Sequence, residues 1–219
     1  VGTNNLIYPL FVTPGEKKKD EVPSLPGNYV FSLDELLAEI ESCLAYGLTS
    51  FILFPKVPVE FMDKTGTYRF NSDNFELDAA RKIKSRFPKV NLISDAALDP
   101  YNIDGHDGIV KNGAILNDET LEVLMRMSIA QADAGFDIIG PSDMMDGRVG
   151  AIRKGLDDSG FTHTSIMSYT AKYASAFYGP FRDALDSAPV EDSQIPRNKK
   201  TYQMNPANKR EALIEAELD

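Results

Sequence analysis

Five short apolar runs rich in β-branched and aromatic residues punctuate the chain, at residues 6–12, 50–54, 90–94, 137–140 and 165–169. They recur about every 40 residues, and stretches with helical periodicity fill the gaps. A strand that is apolar on both faces must be covered on both, and helices alternating with such strands achieve this in a parallel sheet. The spacing therefore predicts a series of βα units. Three helices carry their own punctuation. Ser32 and Glu35 stand as a capping box ahead of a stripe of Leu36, Leu37, Ile40 and Leu44, and Gly47 ends it. A second helix follows Asn117 and carries Leu121, Leu124, Met125, Ser128, Ile129 and Ala132 up to Gly135. A third is expected directly after Asn205 and Pro206, an N-cap followed by a proline suited to the first helical position.

Five units fit badly with a closed (β/α)8 barrel, which takes eight and about 250 residues. That leaves a five-stranded open sheet or a barrel that has been cut. Residues 207–219 read as a helix with no terminating glycine and no strand after it, which favours the cut barrel. Length allows one or two domains, and residues 1–219 are taken as one.

Composition removes several function classes. Lys+Arg 23 against Asp+Glu 33 gives a net charge of −10, so no nucleic-acid partner is expected. No apolar run nears the ~20 residues of a membrane span, and no membrane association is expected. The first six residues have neither a basic start nor an apolar signal-peptide core. One cysteine, Cys43, and two histidines, His106 and His163, cannot build a thiolate cage or a multi-histidine site. A metal would have to rest mainly on oxygen ligands, which favours a hard cation such as Mg²⁺.

The segments that can carry chemistry each follow an expected strand, on the face where sites of parallel α/β folds form. In residues 168–183, Lys172 stands among Tyr169, Tyr173, Phe177, Tyr178 and Phe181. Such a setting disfavours an ammonium and favours the neutral amine of Schiff-base chemistry. Arg182 nearby is a ready carboxylate clamp. The plain alternative is a surface lysine beside core aromatics. In residues 95–108, Asp95, Asp99, Asp104 and Asp107 crowd around His106. Such carboxylates repel, bind a cation, or acquire raised pKa values fit for proton transfer. They equally suit a solvated loop with Asp–Gly turns, in which His106 is simply hydrogen-bonded. In residues 140–153, Asp143 and Asp146 stand where a strand gives way to a helix, with Ser142 as a candidate cap. Met144 and Met145 read as packing, and Arg148 and Arg153 as ion-pair partners. Residues 16–21 and 187–200 read as polar loops, and residues 186–200 have the length of a lid over the site.

Five segments together closely resemble the porphobilinogen synthase (5-aminolevulinate dehydratase) family. They are LIYPLFVTPG at 6–15, SDAALDPYNIDGHDG at 94–108, PSDMMDGRVGAIR at 141–153, SYTAKYASAFYGPFRDA at 168–184 and TYQMNPAN at 201–208. The resemblance covers nearly the whole chain. It implies an α/β TIM barrel of which this chain holds about five of the eight βα units, with a homo-octamer as the usual assembly. It implies the condensation of two 5-aminolevulinate molecules to porphobilinogen with loss of two waters, through lysine Schiff bases, in tetrapyrrole biosynthesis. Lys172 matches the first of two catalytic lysines, and Asp95 an acidic residue near the reacting amine. Arg182 matches the arginine holding one substrate carboxylate, with Lys199 and Gln203 beside it. Tyr178 and Phe181 match aromatic walls of the pocket.

Zinc-dependent members carry three cysteines where this chain has Ala97, Asp99 and Asp107. Thiolate zinc is thereby excluded, and the resemblance points to the aspartate-rich, magnesium-responsive branch typical of plant and algal plastids. The implied compartment is the plastid stroma, or the cytoplasm. Glu215 aligns with a glutamate that holds an allosteric Mg²⁺ between subunits through waters. Glu211 and Glu215, one turn apart, repel unless a cation or arginine compensates, or else form a solvated acidic face. The second lysine, in a V-K-P segment of the next strand, lies outside these 219 residues, as do the groups gripping the other carboxylate. The 219-residue chain by itself is accordingly expected to be inactive. Two other readings are a non-catalytic half-barrel that binds ligand or a sister subunit, and a different Schiff-base enzyme such as a class I aldolase. The long motifs disfavour the aldolase.

Overall fold

The computed structural model describes residues 1–219. Its strands are β1 (Ile7–Val12), β2 (Lys19–Glu21), β3 (Tyr29–Phe31), β4 (Ser50–Pro55), β5 (Asn91–Ala96), β6 (Ile109–Lys111), β7 (Ala114–Leu116), β8 (Ile138–Pro141) and β9 (Ser165–Ile166). Its α-helices are α1 (Leu33–Leu44), α2 (Phe75–Arg86), α3 (Asn117–Ala134), α4 (Arg148–Asp158), α5 (Gly179–Leu185) and α6 (Lys209–Leu218). Seven strands make one sheet in the order β2-β3-β1-β4-β5-β8-β9, while β6 and β7 form a separate antiparallel pair. Within the large sheet only β2 pairs antiparallel, with β3. The five apolar runs become β1, β4, β5, β8 and β9, side by side in chain order and all parallel.

Period-two alternation gives each strand two jobs. Leu10 and Val12 of β1, Phe51 and Leu53 of β4, and Leu92 of β5 pack against the helices, meeting Leu36, Ile40, Leu77, Ile83, Leu124, Ile152 and Leu156. Phe11, Ile52, Phe54 and Ile93 point to the other face, where Ala184, Leu185 and the ring of Phe181 cover them. The chemistry-bearing residues gather on that second face. Gly140 allows β8 to close against β5, since a Cβ there would stand 2.7 Å from the Ser94 carbonyl oxygen.

Several local expectations need correction. Ser32 precedes α1, but its hydroxyl accepts from the Lys18 N–H at 2.9 Å and bonds Asp34, so the capping box does not form. The incoming β2 connection outcompetes the helix for that oxygen. α3 fills its expected span and ends at Gly135 in the left-handed conformation, φ 103°. The C-terminal helix starts later than expected. Asn205 Oδ1 accepts from Ala207 N in a turn, and Asn208 caps α6 by accepting from Glu211 N at 3.4 Å. Residues 16–21 are not wholly loop, because β2 adds an edge strand. β9 is assigned only at Ser165–Ile166, although Met167 N and Tyr169 N still donate to Ile139 and Pro141 on β8.

Candidate active site

The loop between β5 and β6 folds back over the strand end. Asn102 Nδ2 donates to the carbonyls of His106 and Gly108, and Leu98 N donates to the Asp107 carbonyl at 3.3 Å. This turns Asp99 and Asp107 inward, burying both. Lys199 enters from the far side of the sheet order. Its ammonium donates to Asp99 Oδ2 at 3.0 Å and to Asp107 Oδ1 at 2.9 Å. The other Asp107 oxygen lies 3.7 Å from the Lys172 amine, so one carboxylate faces both lysines. Burial raises the pKa of Asp99. Burial also works against the Asp107 carboxylate, yet Lys172 and Lys199 outweigh it and hold that group down at about 2.

Lys172 Nζ donates to the Ser142 carbonyl at 2.7 Å. The Ser142 hydroxyl in turn donates to Asp95 Oδ1 at 2.6 Å. Ser142 therefore ties the amine and the Asp95 carboxyl together from the end of β8. Burial, then the nearby Asp99 charge, pushes Asp95 up to about 7, so it exchanges a proton near neutral pH. The aromatic surroundings expected of Lys172 are thinner than the sequence suggests. Tyr178 lies with its ring centre 5.7 Å from the amine, while Phe177 is exposed, and the atoms nearest the amine are polar.

A cavity of about 250 Å³ opens above these groups. It is lined by Asp95, Asp99, Ser142, Lys172, Tyr178, Phe181, Arg182, Lys199 and Gln203, with Phe54, Tyr169, Leu185 and Ser187 completing it. Phe181 packs edge-on to Phe54, ring centres 4.8 Å apart, and forms an apolar wall. Arg182 makes no ion pair within the protein. Its guanidinium rests 6.0 Å from the Tyr178 ring centre and offers its donors to the cavity. Lys172, Asp95, Arg182, Lys199, Gln203, Tyr178, Phe181 and Asp99 line this cavity and Asp107 lies beside it on Lys199, whereas Glu215 does not reach it. That glutamate lines a separate cleft with Asn117, Asp146 and Glu211.

Residues 187–200 lie over the acidic loop and are fastened to it. Val190 N donates to the Asp104 carbonyl, and Gly105 lies so close that a Cβ would meet the Ala188 carbonyl oxygen at 2.3 Å. His106 is buried and hydrogen-bonded at both ring nitrogens, to the Pro196 carbonyl at 2.7 Å and the Tyr202 hydroxyl at 2.9 Å. Burial lowers its pKa, so it stays neutral. Ser142 and Tyr202 were not legible as site residues. Ser142 read as a helix cap, and nothing in its spacing announces that its two oxygens serve two different catalytic candidates.

The family model for delta-aminolevulinic acid dehydratase matches residues 1–219. The chain belongs to the delta-aminolevulinic acid dehydratase family. It is 50% identical to the chloroplastic delta-aminolevulinic acid dehydratase of Chlamydomonas reinhardtii, covering 100% of this chain and 57% of that protein. It is also 50% identical to the delta-aminolevulinic acid dehydratase of Chlamydia pneumoniae, covering 98% and 63%. Among solved structures it matches the dehydratase (porphobilinogen synthase) of Toxoplasma gondii ME49, crystallised with the reaction product porphobilinogen. The TM-score there is 0.94 at 48% identity, over 99% of this chain and 61% of that one. The chain thus spans about half to three fifths of the length of the dehydratases it matches.

Proposed function

We propose that the full-length protein condenses two 5-aminolevulinate molecules to porphobilinogen, in tetrapyrrole biosynthesis, with Lys172 as a Schiff-base lysine. The observation that carries this reading is the Lys172–Ser142–Asp95 linkage, set opposite an Arg182 that has no internal partner. The substrate carboxylate meets Arg182, with Gln203 beside it, and the substrate ketone faces Lys172. Lys172 gives a proton to the Asp95 carboxylate, and its nitrogen adds to the ketone carbon. The carbinolamine oxygen takes that proton back from Asp95 and leaves as water, giving the protonated imine. Asp95 exchanges the protons that these steps require. Tyr178, Phe181 and Phe54 exclude water around the imine. Lys199 is held by Asp99 and Asp107, so its help at the carboxylate requires that it leave one of them.

The chain-order adjacency of β1, β4, β5, β8 and β9, with no reversal of winding, supports a partial TIM barrel. The family's homo-octamer and its plastid or cytoplasmic location are part of the same proposal, and the chloroplastic relatives favour the plastid.

The two acidic groups differ in their fit to Mg²⁺. Asp99 and Asp107 already share an ammonium at hydrogen-bond distance and do not fit a second cation. The cleft of Asp146, Glu211 and Glu215 offers oxygen donors, and burial and Asp146 push the Glu215 carboxyl up. The three acids do not converge as a direct ligand set, so a hard cation there would be held through waters. A cation bound there would neutralise that cleft, away from the reacting amine. Activity of the full-length protein is expected to rise with Mg²⁺ and to ignore zinc-selective chelators. Inhibition by such a chelator, reversed only by Zn²⁺, would contradict this.

The direct test incubates the full-length protein with 5-aminolevulinate and assays pyrrole formation and borohydride trapping. Pyrrole and a trapped adduct at Lys172 are expected, whereas the 219-residue chain taken alone is expected to trap substrate without forming pyrrole. Absence of both from the full-length protein overturns the reading. Arg182→Ala is expected to weaken substrate binding by about 1.5–3 kcal/mol, the range for a hydrogen bond to a charged group. Unchanged KM and kcat would make Arg182 purely structural.

A further inference from the structure

We propose that Gln131, a side chain of α3 behind the sheet, is a positioning residue that clamps β5 where the strand delivers Asp95 to the Lys172 amine. The proposal rests on the Schiff-base reading above. Gln131 is 1% exposed and is absent from the cavity lining. Its Nε2 donates to the Asp95 carbonyl at 2.8 Å, and its Oε1 accepts from the Ser94 hydroxyl at 2.9 Å. Both amide atoms thus bind consecutive residues of one strand.

The strand needs that clamp at this point. Pairing between β4 and β5 ends at Ser94, so the Asp95 carbonyl lies beyond that ladder and takes its donor from Gln131. On its other edge β5 continues against β8, with Asp95 opposite Gly140. Asp95 is therefore held twice, through its carbonyl by α3 and through its carboxyl by Ser142. Releasing the carbonyl frees the backbone to rotate and carries the carboxyl away from Ser142 and the amine. A misplacement of about 1 Å in such a constellation costs on the order of 10²-fold in rate. The Gln131 amide also faces the buried Glu76 carboxyl, which Tyr101 holds from its other side, so Ser94→Ala, which leaves that contact in place, separates the clamp on β5 from it.

The test uses the full-length protein with Gln131→Met, which keeps length and packing while removing both hydrogen bonds to β5 and the contact with Glu76, and Ser94→Ala, which removes only one of the β5 bonds. Readouts are kcat and KM with 5-aminolevulinate across pH, cooperative melting, and borohydride trapping at Lys172. The titrating groups that face Asp95 are Glu76 from α2, Asp99 and Asp107 from the loop after β5, and Lys172 and Tyr169 from the segment after β9. In Gln131→Met, kcat is expected to fall on the order of 10²-fold with KM little changed. The pH-profile limb of Asp95 should move to lower pH, as a displaced carboxyl is better solvated, while trapping persists. Ser94→Ala should shift the same limb less, and it carries the test if Gln131→Met fails to melt cooperatively. A folded Gln131→Met, or a Ser94→Ala, with wild-type kcat and pH profile overturns the proposal. A wild-type protein that neither traps substrate nor forms pyrrole overturns the Schiff-base reading instead.

Discussion

Lys172→Met in the full-length protein is expected to abolish the borohydride-stable adduct at that position and to lower pyrrole formation by at least about 10⁴-fold, the scale on which enzymes lose rate when a covalent nucleophile is removed. No other residue of these 219 can substitute for it. Lys199 is the only other amine in the cavity lining, and two carboxylates hold it as an ammonium with its pKa raised. The loss should appear in kcat, with binding at Arg182 retained. Competitive inhibition by a keto acid that lacks the substrate amine measures that binding directly. Turnover within tenfold of wild type would show that Lys172 is a bystander.

Lys199→Met is expected to destabilise the fold by about 3–5 kcal/mol, the cost of removing one partner from a buried ion pair. The substitution leaves Asp99 and Asp107 facing each other without their shared cation in a site that water barely reaches. Denaturant titration at neutral pH reads the effect, and an unchanged midpoint would contradict it. The pH dependence carries a matching signature. Asp107 is held at about 2, below its ordinary value, so its contribution is complete above the usual carboxylate range and is lost as pH falls toward 2. Asp95 has the opposite sign. Burial raises it to about 7, so the native state holds its proton more tightly, and that contribution is complete in acid and lost as pH rises toward 7. In Lys199→Met the acid-side loss should flatten, because Asp107 no longer has its closest ammonium.

Much of this molecule is legible in its sequence. The apolar runs at 6–12, 50–54, 90–94, 137–140 and 165–169 predicted five strands, and all five pair in parallel in chain order. Hydrophobic period reports local structure because burial of a strand or helix face is decided by residues two or four apart. Lys172 and Arg182 were legible together for the same reason, being neighbours along one short segment. What misled was competition for single atoms. Ser32 read as a helix cap, and its oxygen went to the Lys18 backbone instead. Asn205 and Pro206 read as a helix start, and a turn at Asn205 delayed it to Lys209.

Residue chemistry and period were enough to determine the alternating α/β layout and a lysine close in sequence to an arginine on the face where the strands end. Only the tertiary structure decided how those charges are shared. Lys199 meets Asp107 across 92 residues of chain and Asp99 across 100, and Ser142 reaches Asp95 across 47. Such partners are chosen by which loops the sheet brings to one end, and by the cost of leaving a buried charge or carbonyl without a mate. Neither quantity is written in the spacing of residues along the chain.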